Sequence, residues 1–111
     1  MNGQKEVIAI ETTFPGTLVG REVQDARGEC VGIVRSIEVD FSTMNTNLLL
    51  YGSEGTKEIP LKDVDHVGER VELKKTLLGE EIEQGDEKKI KRKVKKEIQS
   101  LLTVSSILMG G

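Results

Sequence analysis

From Val31 to Phe41 the chain reads VGIVRSIEVDF, with Val31, Ile33, Ile37, Val39 and Phe41 on one parity and Gly32, Ser36, Glu38 and Asp40 on the other. A period of two predicts a half-buried strand. Val34 and Arg35 interrupt the alternation, and a glycine sits near the start, which predicts a bulge or bend of the kind that closes a small barrel. STMNTN at 42–47 supplies turn formers, and LLLY at Leu48–Tyr51 is a strand-length apolar run ended by GSEG. Glu58–Leu61 reads as a strand in which Pro60, lacking an N–H, belongs at an edge or an end. KDVDHVG at 62–68 reads as one tight helical turn, with Asp63 near its start and Gly68 ending it; RVEL then returns as a strand with Val71 and Leu73 inward. Upstream, EVIAIETT is a candidate extra strand. Five or six short strands separated by turns predict a mainly β chain, a small barrel or sandwich.

The stretch GREVQDARGECVG, Gly20 to Gly32, concentrates glycines and acids. It lacks the spacing of a glycine-rich phosphate cradle, either Gly-x-Gly-x-x-Gly or Gly-x-x-x-x-Gly-Lys-Ser/Thr. It fits a hairpin instead. Arg21 to Val23 extends, Asp25 to Gly28 turns, and Val31 begins the next strand. Asp25 caps nearby N–H groups, and Gly28 accepts the positive φ that closes the turn. Gly20, Asp25, Gly28, Gly32 and Pro60 are therefore expected to be structural turn positions.

Past a polar stretch with Gly79 and Gly85, the period changes to that of a helix. Ile90, Val94, Ile98, Leu101 and Leu108 recur on one side, and Leu102 and Val104 widen the stripe. Asp86 and Glu87 complement the dipole at the start, and the terminal glycines stop the helix. Four segments follow: an N-terminal extension (1–16), a β domain complete by Lys75 (17–75), a linker (76–85) and an amphipathic helix (86–111). The stripe needs a cover. It can fold back on its own domain, pair with a second chain, or lie on an anionic membrane through Lys88, Lys89, Lys91, Arg92, Lys93, Lys95 and Lys96. Pairing is the expected outcome, because a small β domain leaves little apolar surface spare. Ile90, Val94, Ile98, Leu101, Leu102 and Leu108 are the expected partner-binding residues of a homodimer or heterodimer, with Ile98 and Leu101 near the centre.

Charge sharpens this division. The net charge of −3 over 111 residues hides a body, through Glu87, with 18 acids against 9 bases, and a tail from Lys88 with 7 bases against 1 acid. An acidic body argues against nucleic acid as its ligand, since phosphate binding draws on clustered Lys and Arg. The tail has no aromatic residue among its lysines to stack on bases. A single cysteine, Cys30, makes no internal disulfide, so a reducing, cytoplasmic setting is expected. The N-terminal residues lack the pattern of a secretory signal, and no run approaches the roughly 20 apolar residues of a membrane span.

Enzymatic constellations are hard to assemble from these residues. His66, the single histidine, lies beside Asp63 and Asp65 with no nucleophile in a defined relation to it, and is expected on a turn surface. Cys30 reads as a small core or edge residue, Tyr51 as packing, and Glu38 with Asp40 as a solvated strand face. No catalytic residue, cofactor or metal is expected.

Taken in order, LVGREVQDARGECVGIVRSIEVDF, NLLLYGSEG and EIPLKDVDHVGERVEL resemble the PRC-barrel family. The shared pattern rests on Gly20, Arg21, Val23, Gly28, Val31, Gly32, Val34, Asp40, Ile59 and Pro60, and covers about residues 17 to 74. FSTMNTN departs from it, standing where many members have an Asp-x-x-Gly turn, and the tail lies outside it. The resemblance implies a small barrel of five or six strands and a non-enzymatic interaction role. In small archaeal stand-alone members this includes cell-division adaptors that link division-ring components or membrane-anchored partners at the division site. A second reading that it implies is an accessory factor in ribosome maturation or RNA processing, as in RimM-type proteins. Those carry a further N-terminal barrel for which this chain has no room.

Overall fold

The computed structural model describes residues 5–8, 11 and 14–110, with backbone alone for 5–8 and 102–110. Among the described residues seven strands, against the five or six expected, precede one helix: β1 (Lys5–Ile8), β2 (Glu22–Gln24), β3 (Cys30–Asp40), β4 (Asn45–Gly52), β5 (Gly55–Pro60), β6 (Val64–Val67), β7 (Val71–Leu73) and α1 (Asp86–Gly110). The order across the sheet is β5-β4-β3-β2-β7-β6, and β1 also pairs with β3. Only β2 and β7 run parallel; the other pairings are antiparallel. The two ends of this order, β5 and β6, are joined by a 3-10 turn at Leu61–Asp63. So short a connection between the outermost strands requires the sheet to curl. No ladder joins β5 to β6, and the sheet is not closed.

β3 organises the molecule. Its first residues pair with β2, its last four with β1, and β4 runs along its other edge. The register against β4 shifts between Val34 and Ser36, so Arg35 is the extra residue of a bulge. The bulge corrects the expected single inward row. Val34 and Ile37, paired with Leu50 and Leu48, face the inside of the curl, whereas Ile33 and Ser36, paired with Tyr51 and Leu49, face the other way. Both faces are covered, so Ile33, Val34, Ser36, Ile37 and Glu38 are all buried. Phe41, expected inward, lies past the end of the strand and is exposed.

The first hairpin forms as its turn chemistry predicts. Gly28 has φ +84° and donates its N–H to the Asp25 carbonyl at 2.9 Å. Gly20 also takes positive φ, and an added Cβ there would meet the Phe14 ring at 2.5 Å. Gly32, expected at a turn, lies within β3 instead, where a Cβ would press on the Leu50 side chain at 3.0 Å, so its role is close approach within the sheet. Pro60 closes β5. Residues 64–67 differ from expectation. After the short turn Val64–Val67 forms a strand, because antiparallel pairing with β7 satisfies its backbone.

α1 starts at Asp86 and runs into Gly110. Val94 and Ile98 are buried in the same cluster as Ile33, Val34, Leu48 and Leu50, and Ile90 packs partly against it. Each such aliphatic side chain contributes about 1.5 to 3 kcal/mol on burial. The helix thus folds back on its own sheet, onto the face that carries Ile33 and Tyr51. Residues 76–85 are also part of the body. The Ile82 N–H donates to the Cys30 carbonyl at 2.8 Å and its side chain is buried.

Candidate interaction surface

α1 is fixed by polar contacts as well as by its stripe. Glu97, the one acid after Lys88, accepts hydrogen bonds from the Tyr51 hydroxyl on β4 and from Arg35 Nε in the bulge, both at 2.6 Å. Burial raises the Glu97 carboxyl pKa, but the Tyr51 and Arg35 donors outweigh it and hold the group below its ordinary value. Near the start of the helix, Lys91 Nζ pairs with Glu22 of β2 at 3.1 Å. Lys93 Nζ stands 4.7 Å from the centre of the Tyr51 ring. The bulge is what aims Arg35 at the helix, a redirection that alternation alone does not reveal.

These contacts divide the helix surface. At 3.6 residues per turn, Val94 and Ile98 define the side facing the sheet, with Ile90, Lys91 and Glu97 flanking it. Lys88, Lys89, Arg92, Lys93, Lys95 and Lys96 occupy the opposite arc and are exposed. Lys89, Arg92, Lys93 and Lys96, together with Glu97, line a shallow groove on it.

The partner-binding stripe expected from sequence is therefore split. Val94 and Ile98 are taken up by their own sheet, which corrects the expectation that they face a second chain. Leu101 lies three residues past Ile98 on the same side, yet is 47% exposed. The side chains of Leu102 and Leu108 lie outside the described residues. A second apolar exposure surrounds the β3–β4 turn, where Phe41, Met44 and Leu61 are all exposed and Met44 takes φ 58°.

The acids of the first hairpin are structural. The Asp25 side chain is fully buried; Oδ1 accepts from the Arg27 and Glu29 N–H groups, and Oδ2 from the Arg27 guanidinium and the Leu77 N–H. Burial raises its pKa, but these donors prevail and hold it at about 2. Arg27 extends to Glu81 at 2.7 Å, fastening 76–85 to the hairpin. Sequence reasoning located the cap but not its link to residues 77 and 81, which are more than fifty positions away. Glu11 is used similarly, accepting from the N–H groups of Thr17, Leu18 and Val19.

The residues weighed for chemistry stand apart. His66 is exposed on β6. The Cys30 thiol is partly buried, and burial pushes it up to about 11, which disfavours the thiolate. Glu38 is buried, against the expectation of a solvated acidic face. Among the described residues no group of His, Cys, Asp and Glu could hold a metal ion, and no helix is long and apolar enough to cross a membrane. No protein-family model matches the chain, and no curated protein matches it.

Proposed function

We propose that the chain is a non-enzymatic adaptor that binds another protein through the end of α1, as a homodimer or with a related chain. The observation that carries this reading is Leu101. It continues the side of the helix that holds Val94 and Ile98, but is half exposed. The sequence beyond it, LTVSSILMGG, is apolar and without charge. A helix end of this composition gains by packing against a second apolar surface. The adaptor reading also draws on the PRC-barrel likeness of residues 17–74. In it, the curled sheet is a small barrel with its seam between β5 and β6.

That likeness sets the adaptor in an archaeal division apparatus, where it would join division-ring components in the cytoplasm or at the membrane. Affinity purification from the native host with mass spectrometry tests the setting. Division proteins among the partners support it, whereas ribosomal proteins would support a role in ribosome maturation instead. The contact itself is tested by Leu101→Asp, which places a charge at the exposed apolar position without entering the sheet core. Loss of the protein partner supports the reading; unchanged association overturns it.

A further inference from the structure

Most of the outward arc of α1 is left over by the contacts that hold the helix. Lys91 is paired with Glu22, Lys93 stands over Tyr51, and Lys89 lies 3.9 Å from Asp86. Lys88, Arg92, Lys95 and Lys96 have no ion pair or hydrogen bond among the described residues. No acidic residue interrupts Lys88 to Lys96, a row about 12 Å long at 1.5 Å per residue. The helix lies on top of the sheet, so this row is an outer surface of its layer. Four unpaired cations clustered on one face of an otherwise acidic chain call for an anionic partner.

We infer that the outward arc of α1 docks on the anionic headgroups of a phospholipid bilayer. Four to eight Lys or Arg residues on an amphipathic helix are enough to hold a protein at such a surface. Five of the six exposed cations here are lysines, hydrated point charges that suit a mobile array of headgroups better than fixed two-pronged recognition. Single-stranded nucleic acid would need stacking partners, and no aromatic residue lies between Lys88 and Lys96. A duplex would gain few phosphate contacts from so short a row before meeting the acidic body. From Ile98 onward the helix carries no charge, so nothing there repels a bilayer. Leu101 lies on the side of the helix opposite the arc, so lipid docking goes beyond the pairing proposed above and is compatible with it.

The test is co-sedimentation of the full chain with vesicles of equal parts phosphatidylglycerol and phosphatidylcholine, against vesicles of phosphatidylcholine alone. The expected result is binding to the anionic vesicles, released when salt rises from about 0.1 to about 1 M and the screening length falls from roughly 10 to roughly 3 Å. Lys88→Gln, Arg92→Gln, Lys95→Gln and Lys96→Gln combined should lower the bound-to-free ratio at least about tenfold. Circular dichroism verifies that this variant is folded; if it is not, the pair Arg92→Gln and Lys96→Gln takes its place with a smaller loss expected. Absence of binding, equal binding to both vesicles, or binding insensitive to salt and to these substitutions overturns the inference. So does displacement from the vesicles by a duplex oligonucleotide at lower charge concentration than the lipid. Leu101→Asp, assayed in parallel by light scattering, separates the two proposals: it removes association with protein, whereas the glutamine variant leaves that association intact.

Discussion

Asp25 shows how one short side chain sets both a turn and a long-range contact. Its carboxylate is fully buried and accepts from three backbone N–H groups and the Arg27 guanidinium. Asp25→Asn removes the charge while preserving shape, and should destabilise the fold by about 2 to 4 kcal/mol in urea denaturation. The pH dependence has a definite sign. With a folded pKa of about 2, below the ordinary carboxylate value, the Asp25 contribution is complete above about pH 4 and is lost as pH falls through about 2. The stability gap between wild type and Asp25→Asn should therefore narrow across that interval; a constant gap would show that ionisation is not what Asp25 contributes. Gly28 is governed by backbone geometry alone, since nothing lies within 4 Å of an added Cβ but φ is +84°. Gly28→Val should cost roughly 1 to 3 kcal/mol, and a neutral result would contradict the turn. Both residues were legible in the sequence because turn chemistry is local. The Arg27–Glu81 contact was not, since it exists only once two distant segments meet.

Among the elements, β3 and α1 depend on each other. The alternation of β3 made the strand legible, and its interruption at Val34–Arg35 located the bulge. Its consequence was hidden. Shifting register turns Ile33 and Ile37 to opposite faces, so the strand has two faces to bury and α1 covers one of them. The helix was equally legible from its 3.6 period, but periodicity identifies an apolar side without identifying its cover. Glu97 carried a faint signal as the lone acid in a basic segment; its partners Arg35 and Tyr51 become evident only with the helix in place. Because Ile82, Val94 and Ile98 are core residues, the β domain should not be complete at Lys75. Ile98→Ala should cost about 2 to 4 kcal/mol. Truncation after Lys75 should abolish the cooperative thermal transition followed by circular dichroism. Retention of that transition would mean that the helix only decorates an independent sheet.

The whole molecule presents two surfaces of different character on one helix. The inward side is consumed as far as Ile98 and emerges at Leu101, where an apolar contact is left open; the opposite side is a row of cations. The sequence made the charge division plain, and the structure locates the basic part on an outer face. Adaptor function needs this kind of separation, since one element can then hold a protein partner and an anionic surface at once. Such a role depends above all on association through the end of α1. Light scattering of the purified chain across a concentration series, with and without Leu101→Asp, measures this directly. The expected result is a dimer, or a stable complex with a protein recovered from the host, that Leu101→Asp reduces to monomer without altering the thermal transition. A wild-type monomer at every concentration, with no protein partner recovered, would contradict it.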